Sequence, residues 1–132
     1  MQRIPLLPSM TGAALAVILG SQSALALQDE DMNFDTTEDL YQVCSVQPGA
    51  AESVAAAFAC RGFIEAAVQY HDAVTDRKNL KPLICYPTTA TVADGRAAFV
   101  AWATRNAGNA TLMGELPVIG LVRALAEKYS CN

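Results

Sequence analysis

His71 is the only histidine of this 132-residue chain, and it stands between Tyr70 and Asp72. An imidazole beside a carboxylate is the start of a general base, and a hydrolase would add a nucleophile within its reach. Successive residues of a helix project in different directions, however, and no Gly-x-Ser-x-Gly turn accompanies the pair. His71 therefore reads as a surface or half-buried side chain. Glu65 and Asp72 are paired carboxylates, but no run of aromatic residues accompanies them to shape a sugar cleft. The sequence holds no glycine-rich phosphate loop, no His-Glu-x-x-His and no calcium loop. It asks for no cofactor and no metal, and it reads as a protein that is not an enzyme.

The remaining chemistry lies in four cysteines, Cys44, Cys60, Cys85 and Cys131, which are 16, 25 and 46 positions apart. A redox site would want a close pair such as Cys-x-x-Cys, and a zinc site would want close ligand pairs with more than one histidine. An even count in a short exported domain reads instead as two structural disulfides.

Export is written at the start of the chain. Arg3 supplies a basic n-region, an apolar stretch runs from Met10 to Gly20, and Ala24-Leu25-Ala26 offers the small-x-small pattern of a cleavage site. Residues 1–26 are expected to be a signal peptide, with Leu27 the mature N-terminus. The apolar stretch, roughly 10 residues, is too short to cross about 30 Å of hydrocarbon. Removing residues 1–26 takes away one charge, Arg3, so the formal net charge moves from −4 to −5. Scattered basic residues in an acidic chain form no stripe for a row of phosphates, which argues against nucleic acid as a partner. After signal cleavage no membrane association is expected.

The elements that carry these residues are helical. Residues 27–36 form an acidic leader expected to be flexible, and the domain proper runs over residues 37–132. Thr36, three positions before Asp39, signals the cap of a short helix from Thr37 to about Ser45, ended by Gln47-Pro48-Gly49. A second helix is predicted from about Ala51 to Val74. Arg61, Glu65, Gln69 and Asp72 share its wet stripe, and Cys60, Phe63, Ile64, Ala67 and Tyr70 face inward. Gly62 lowers the helix propensity there, so a close approach of a neighbouring element is expected at that point. Pro82 and Pro87 make residues 75–90 a long connection pinned by Cys85.

Thr89 or Thr91 caps a third helix reaching about Asn106. Val92, Phe99, Val100 and Ala103 are expected inward, and Asp94, Ala98, Ala101 and Arg105 outward. Trp102 is assigned to the core. Asn109-Ala110-Thr111 matches a glycosylation acceptor, a pattern frequent by chance. Pro117 opens a fourth helix with Val118, Leu121, Val122, Leu125 and Tyr129 inward and Arg123 paired to Glu127 outside. No run alternates with period two long enough to make a strand. The reading is all-α: a small bundle of about four helices stapled by two disulfides. Four cysteines permit three connectivities. Antiparallel third and fourth helices of similar length favour Cys85–Cys131, which leaves Cys44–Cys60.

Four pieces follow one another across residues 37 to 131. They are Asp39-Leu40-Tyr41-Gln42-Val43-Cys44, then Phe58-Ala59-Cys60-Arg61-Gly62-Phe63-Ile64, then Ile84-Cys85-Tyr86-Pro87, and finally Leu116-Pro117 through Ala124-Leu125 to Tyr129-Ser130-Cys131. In this order and with this cysteine spacing the chain resembles the Rap/Tai family of periplasmic immunity proteins, which protect bacteria against peptidoglycan amidases delivered by type VI secretion. The resemblance implies a non-catalytic helical protein, a homodimer, that plugs the substrate groove of a cognate amidase effector. Its carried-over positions are the four cysteines and Gly62, all structural.

Inhibitory contacts vary among such proteins, so none transfers. Exposed residues of the 75–96 segment, such as Asp76, Tyr86, Asp94 and Arg96, are the expected partner-binding set. Two departures stand out: Arg61 lies inside the glycine-bearing helix, and Gly95 falls early in the third helix. The competing reading is a stand-alone periplasmic helper, for instance an acid-activated chaperone of similar fold. It would loosen and expose apolar surface near about pH 3, where carboxylates protonate.

Overall fold

The computed structural model describes residues 33–131. Five helices and no strand are present among them: α1 (Thr37–Ser45), α2 (Ser53–Lys78), α3 (Val92–Asn106), α4 (Ala110–Met113) and α5 (Pro117–Lys128). The expected signal peptide, the cleavage site and leader residues 27–32 lie outside the described residues.

Local chemistry sets the helix starts. Thr36 and Asp39 form a reciprocal capping box on α1, with 3.2 Å from the Asp39 amide to the Thr36 hydroxyl and 2.8 Å from the Thr36 amide to the Asp39 carboxylate. Thr91, not Thr89, caps α3 in the same way with Asp94. Helix α2 runs four residues past Val74 because nothing in Thr75-Asp76-Arg77-Lys78 breaks it, and Arg77 and Lys78 favour its C-terminal dipole. It stops where Asn79 turns left-handed, at φ 49°. The single turn α4 was not expected. The Asn109 side chain accepts from the Leu112 amide at 3.2 Å and so caps it, which lets Met113 enter the core. Pro117 opens α5 as expected.

Helix α3 packs on both α2 and α5, and α1 touches all three. The core between them is Leu40 and Val43 of α1, Ile64 of α2, Phe99, Trp102 and Ala103 of α3, and Leu121 and Leu125 of α5. Both disulfides form with the expected pairing, Cys44–Cys60 and Cys85–Cys131. Closing loops of 16 and 46 residues stabilises the fold by roughly 3 and 4 kcal/mol on the chain-entropy account.

Several inward assignments need correction. Tyr70 is 73% exposed. Phe34 covers that edge of α2 with an edge-to-face contact to Phe63 at 5.3 Å, and Tyr70 lies two turns beyond it. Val118 is also exposed, in the first turn of α5. Nothing stands within 4 Å of the place a Gly62 side chain would take, so the close approach expected there does not occur. Arg123 and Glu127 do not pair. Arg123 reaches back to Glu115 with two contacts of 2.8 Å, and Glu127 bonds Arg105 at 2.6 Å across the α3–α5 contact. An arginine preceding a glutamate is the weaker order for an i, i+4 pair, and both side chains find better partners elsewhere.

Candidate functional site

Residues 79–91 connect α2 to α3 and are held at both ends. Next to the left-handed Asn79, the Leu80 amide donates to the Thr75 carbonyl at 3.0 Å. Farther along, Ile84 is buried, the Cys85 amide donates to the Tyr129 carbonyl at 2.8 Å, and the Cys85–Cys131 disulfide ties the same point to the C-terminal end. Between these anchors the chain turns outward and presents Leu80, Lys81 and Leu83 to solvent. Leucines exposed beside a proline in a pinned turn meet a partner with less backbone left to order.

His71 holds the middle of this turn. Its Nδ1 lies 2.8 Å from Asp72 Oδ1, and its Nε2 accepts the Leu83 amide at 3.1 Å. The expectation that adjacent helical residues would point apart fails here, because the imidazole is long enough to swing back to its neighbour's carboxylate. Nε2 is the atom a general base would use on a nucleophile, and in this protein a backbone amide occupies it. The ring is a bracket for the turn. Among the described residues no group of three or more His, Cys, Asp or Glu side chains could hold a metal ion, and no helix is long and apolar enough to cross a membrane.

The four residues expected to meet a partner line four separate depressions. Asp76 is exposed on the last turn of α2, beside Leu80 and Pro82 in an open hollow of about 630 Å³. Tyr86 is half-buried against Tyr129, ring centroids 5.4 Å apart, at a pocket of about 190 Å³ shared with Ile64 and Leu125. Its hydroxyl is buried without a hydrogen-bond partner. Burial above all, then the negative charge of Asp72, pushes the phenol up to about 12.

Asp94 borders a groove of about 530 Å³ between α3 and α5, floored by Ala97, Ala98, Ala101 and Ala124. Its carboxylate accepts from the Thr91 hydroxyl and amide at 2.7 and 2.8 Å, and these bonds hold it below the usual carboxylate range. Arg96 faces the other way. It donates to the Cys44 and Val46 carbonyls at 2.7 and 3.0 Å and so ties α3 to the end of α1. Asp94 and Arg96 therefore both bond to backbone within the fold, while Asp76, on α2, and Tyr86, in the connection, stand on either side of the outward turn. Sequence reasoning overlooked Leu80 and Leu83 in that turn and the exposed Val54 and Phe58 on α2. The signal for the first pair was available: two leucines flanking Lys81-Pro82, where no helix can form to bury them.

No curated protein and no solved structure matches the chain. The family model of the Rap1a immunity proteins matches residues 36–131, from the cap of α1 to the last cysteine. That span holds all five helices of the described residues and both disulfides, and on it this chain belongs to the Rap1a immunity protein family.

Proposed function

We propose that this protein is a periplasmic immunity protein that binds a peptidoglycan amidase effector of a type VI secretion system and blocks its substrate groove. The observation that carries the reading is the family match over residues 36–131, which implies an inhibitor of a cognate effector rather than an enzyme. Two disulfides support an oxidising compartment, and with the expected signal peptide over residues 1–26 that compartment is the periplasm. The turn at Leu80, Lys81 and Leu83 has the form a groove-filling contact needs: it projects, it is pinned at both ends, and it is apolar at two positions. Asp76 and Tyr86 flank it. Val54 and Phe58, 68% and 72% exposed on the outer face of α2, offer apolar surface for the homodimer.

The test is to co-express residues 27–132 with the amidase encoded nearest to the gene, in oxidised form, and to measure binding and peptidoglycan cleavage. The expected result is a complex of nanomolar affinity or better with cleavage lost. Light scattering of the free protein reads the dimer. Absence of binding to any co-encoded or related amidase removes the amidase assignment and leaves the family membership standing.

A further inference from the structure

The His71 contact with the Leu83 amide places a titratable group where the far end of the outward turn meets α2. The geometry settles the tautomer. Leu83 donates its N–H, so Nε2 carries the lone pair, and the proton of the neutral ring sits on Nδ1, where it is donated to Asp72. Protonating the ring keeps the Nδ1–Asp72 contact and turns it into an ion pair. It also puts a second N–H on Nε2, facing the Leu83 N–H donor to donor. The two ends of the imidazole therefore respond in opposite ways to the same proton.

We propose that His71 is a pH-operated latch: in the neutral form it holds the Leu80–Leu83 turn against α2, and on protonation it lets the turn go while remaining paired to Asp72. The groups around it leave the imidazole to act alone. From α2 there is Asp72, with Asp76 lining the same hollow; from the connection there is Tyr86, which feels the Asp72 charge; and from the C-terminal end there is Tyr129 behind Tyr86. Carboxylates ordinarily titrate near about pH 4 and phenols near about pH 10, and only an imidazole ordinarily changes charge between about pH 5 and 8. His71 is the sole histidine of the chain, so no second imidazole competes.

Release is local. Leu80 remains bonded to Thr75, and Ile84 and Cys85 remain anchored, so the freed span is the few residues that carry the exposed leucines. The consequence for binding rests on the immunity reading above, since this turn is the effector contact proposed there. The latch itself does not rest on it, and it is tested on the free protein.

The experiment is amide hydrogen exchange by NMR on the oxidised protein from about pH 5 to 7.5, with each rate corrected for the pH dependence of intrinsic exchange. Protection of the Leu83 amide is expected to fall about tenfold per pH unit below the imidazole titration, as linkage requires when one proton excludes the bond. The Cys85 amide, bonded to Tyr129, stays protected throughout and reports that the fold is intact. His71→Gln supplies an amide oxygen that accepts at every pH, and its Leu83 profile is expected to be flat and high. His71→Phe is expected to be flat and low. A flat wild-type profile across the window, or a wild-type profile indistinguishable from that of His71→Phe, overturns the latch. Loss of effector binding would not affect either reading of the exchange data.

Discussion

Thr37 fills the space that a side chain at Gly120 would need. A Cβ built on Gly120 would lie 2.9 Å from the Thr37 Cβ and closer still to its Oγ1 and Cγ2. Thr37 cannot easily move aside, because it is fully buried and its hydroxyl lies 3.1 and 3.2 Å from the carbonyls of Glu115 and Leu116. Its own amide also donates to Glu115 at 2.8 Å. The start of α1 is thereby sewn to the start of α5 through a glycine. Gly120→Ala is expected to destabilise the fold by about 2 kcal/mol, since overpacking outweighs the helix propensity gained. Urea unfolding checks this: the midpoint should fall with little change in slope. An unchanged midpoint would show that the junction can give.

Two other helical glycines should behave in the opposite way. A methyl group on Gly62 would meet nothing within 4 Å, and one on Gly95 would sit 3.5 Å from Ile64 Cγ2 and 3.7 Å from Leu125 Cδ2, ordinary packing distances. Gly62→Ala and Gly95→Ala are each expected to stabilise by about 0.5–1 kcal/mol through reduced freedom of the unfolded chain. The same unfolding experiment reads both, and destabilisation at Gly62 would mean that the outer face of α2 is covered in solution.

These glycines show where sequence reasoning reached and where it stopped. The Thr36 cap, the Pro117 start and both cysteine pairs depend on a few neighbouring residues or on helix length, and they were legible. Periodicity also placed Ile64, Phe99, Leu121 and Leu125 inside. A glycine in a helix announces that room is needed or tolerated, but not where its neighbour stands. The close approach expected at Gly62 is made at Gly120 instead. The helical wheel likewise assigns Tyr70 and Val118 to an inner face without saying how far the covering element extends. The bonding of Arg96 and Asp94 was not legible either, because both look like free charges in sequence and become ties to backbone only when α1 and Thr91 are in place.

Arg96 offers a direct check on its tie to the end of α1. Removing its guanidinium leaves the Cys44 and Val46 carbonyls without their donor at the end of α1. Arg96→Gln is expected to cost about 1–2 kcal/mol, and Arg96→Lys nearly as much, since one ammonium cannot reproduce the two-pronged contact. Thermal unfolding measures the cost. Full stability combined with weakened effector binding would make Arg96 a contact residue and not a structural tie.

Acid should weaken the fold through carboxylates whose titration is displaced downward. Asp94 is held low by its bonds from Thr91, and Glu115 by its bonds from Arg123. A carboxyl group depressed in the folded state adds stability that is fully present above its unfolded value, near about pH 4, and is lost as pH falls through the folded value. The urea midpoint of the wild type should therefore drop as pH falls below about 4, and Asp94→Asn with Glu115→Gln should flatten that slope. If the double variant keeps the wild-type slope, other carboxylates carry the acid response.

Tyr86 separates stability from recognition. Its hydroxyl is buried without a partner, so it contributes no bond to the fold and carries a desolvation cost. Tyr86→Phe is accordingly expected to leave stability unchanged or to raise it by up to about 1 kcal/mol. In the wild type the phenol, pushed up to about 12, should ionise late in an absorbance titration, and the late component should vanish in the variant. Because burial disfavours the charged phenolate in the folded state, Tyr86 ionisation leaves stability untouched below about pH 10 and lowers it as pH rises from there through the folded value. If Tyr86→Phe instead unfolds more readily at neutral pH, the hydroxyl has a partner in solution, and the pocket behind it holds ordered water. If stability is unchanged while effector affinity falls, Tyr86 is a contact residue and the junction beside Cys85 belongs to the binding surface.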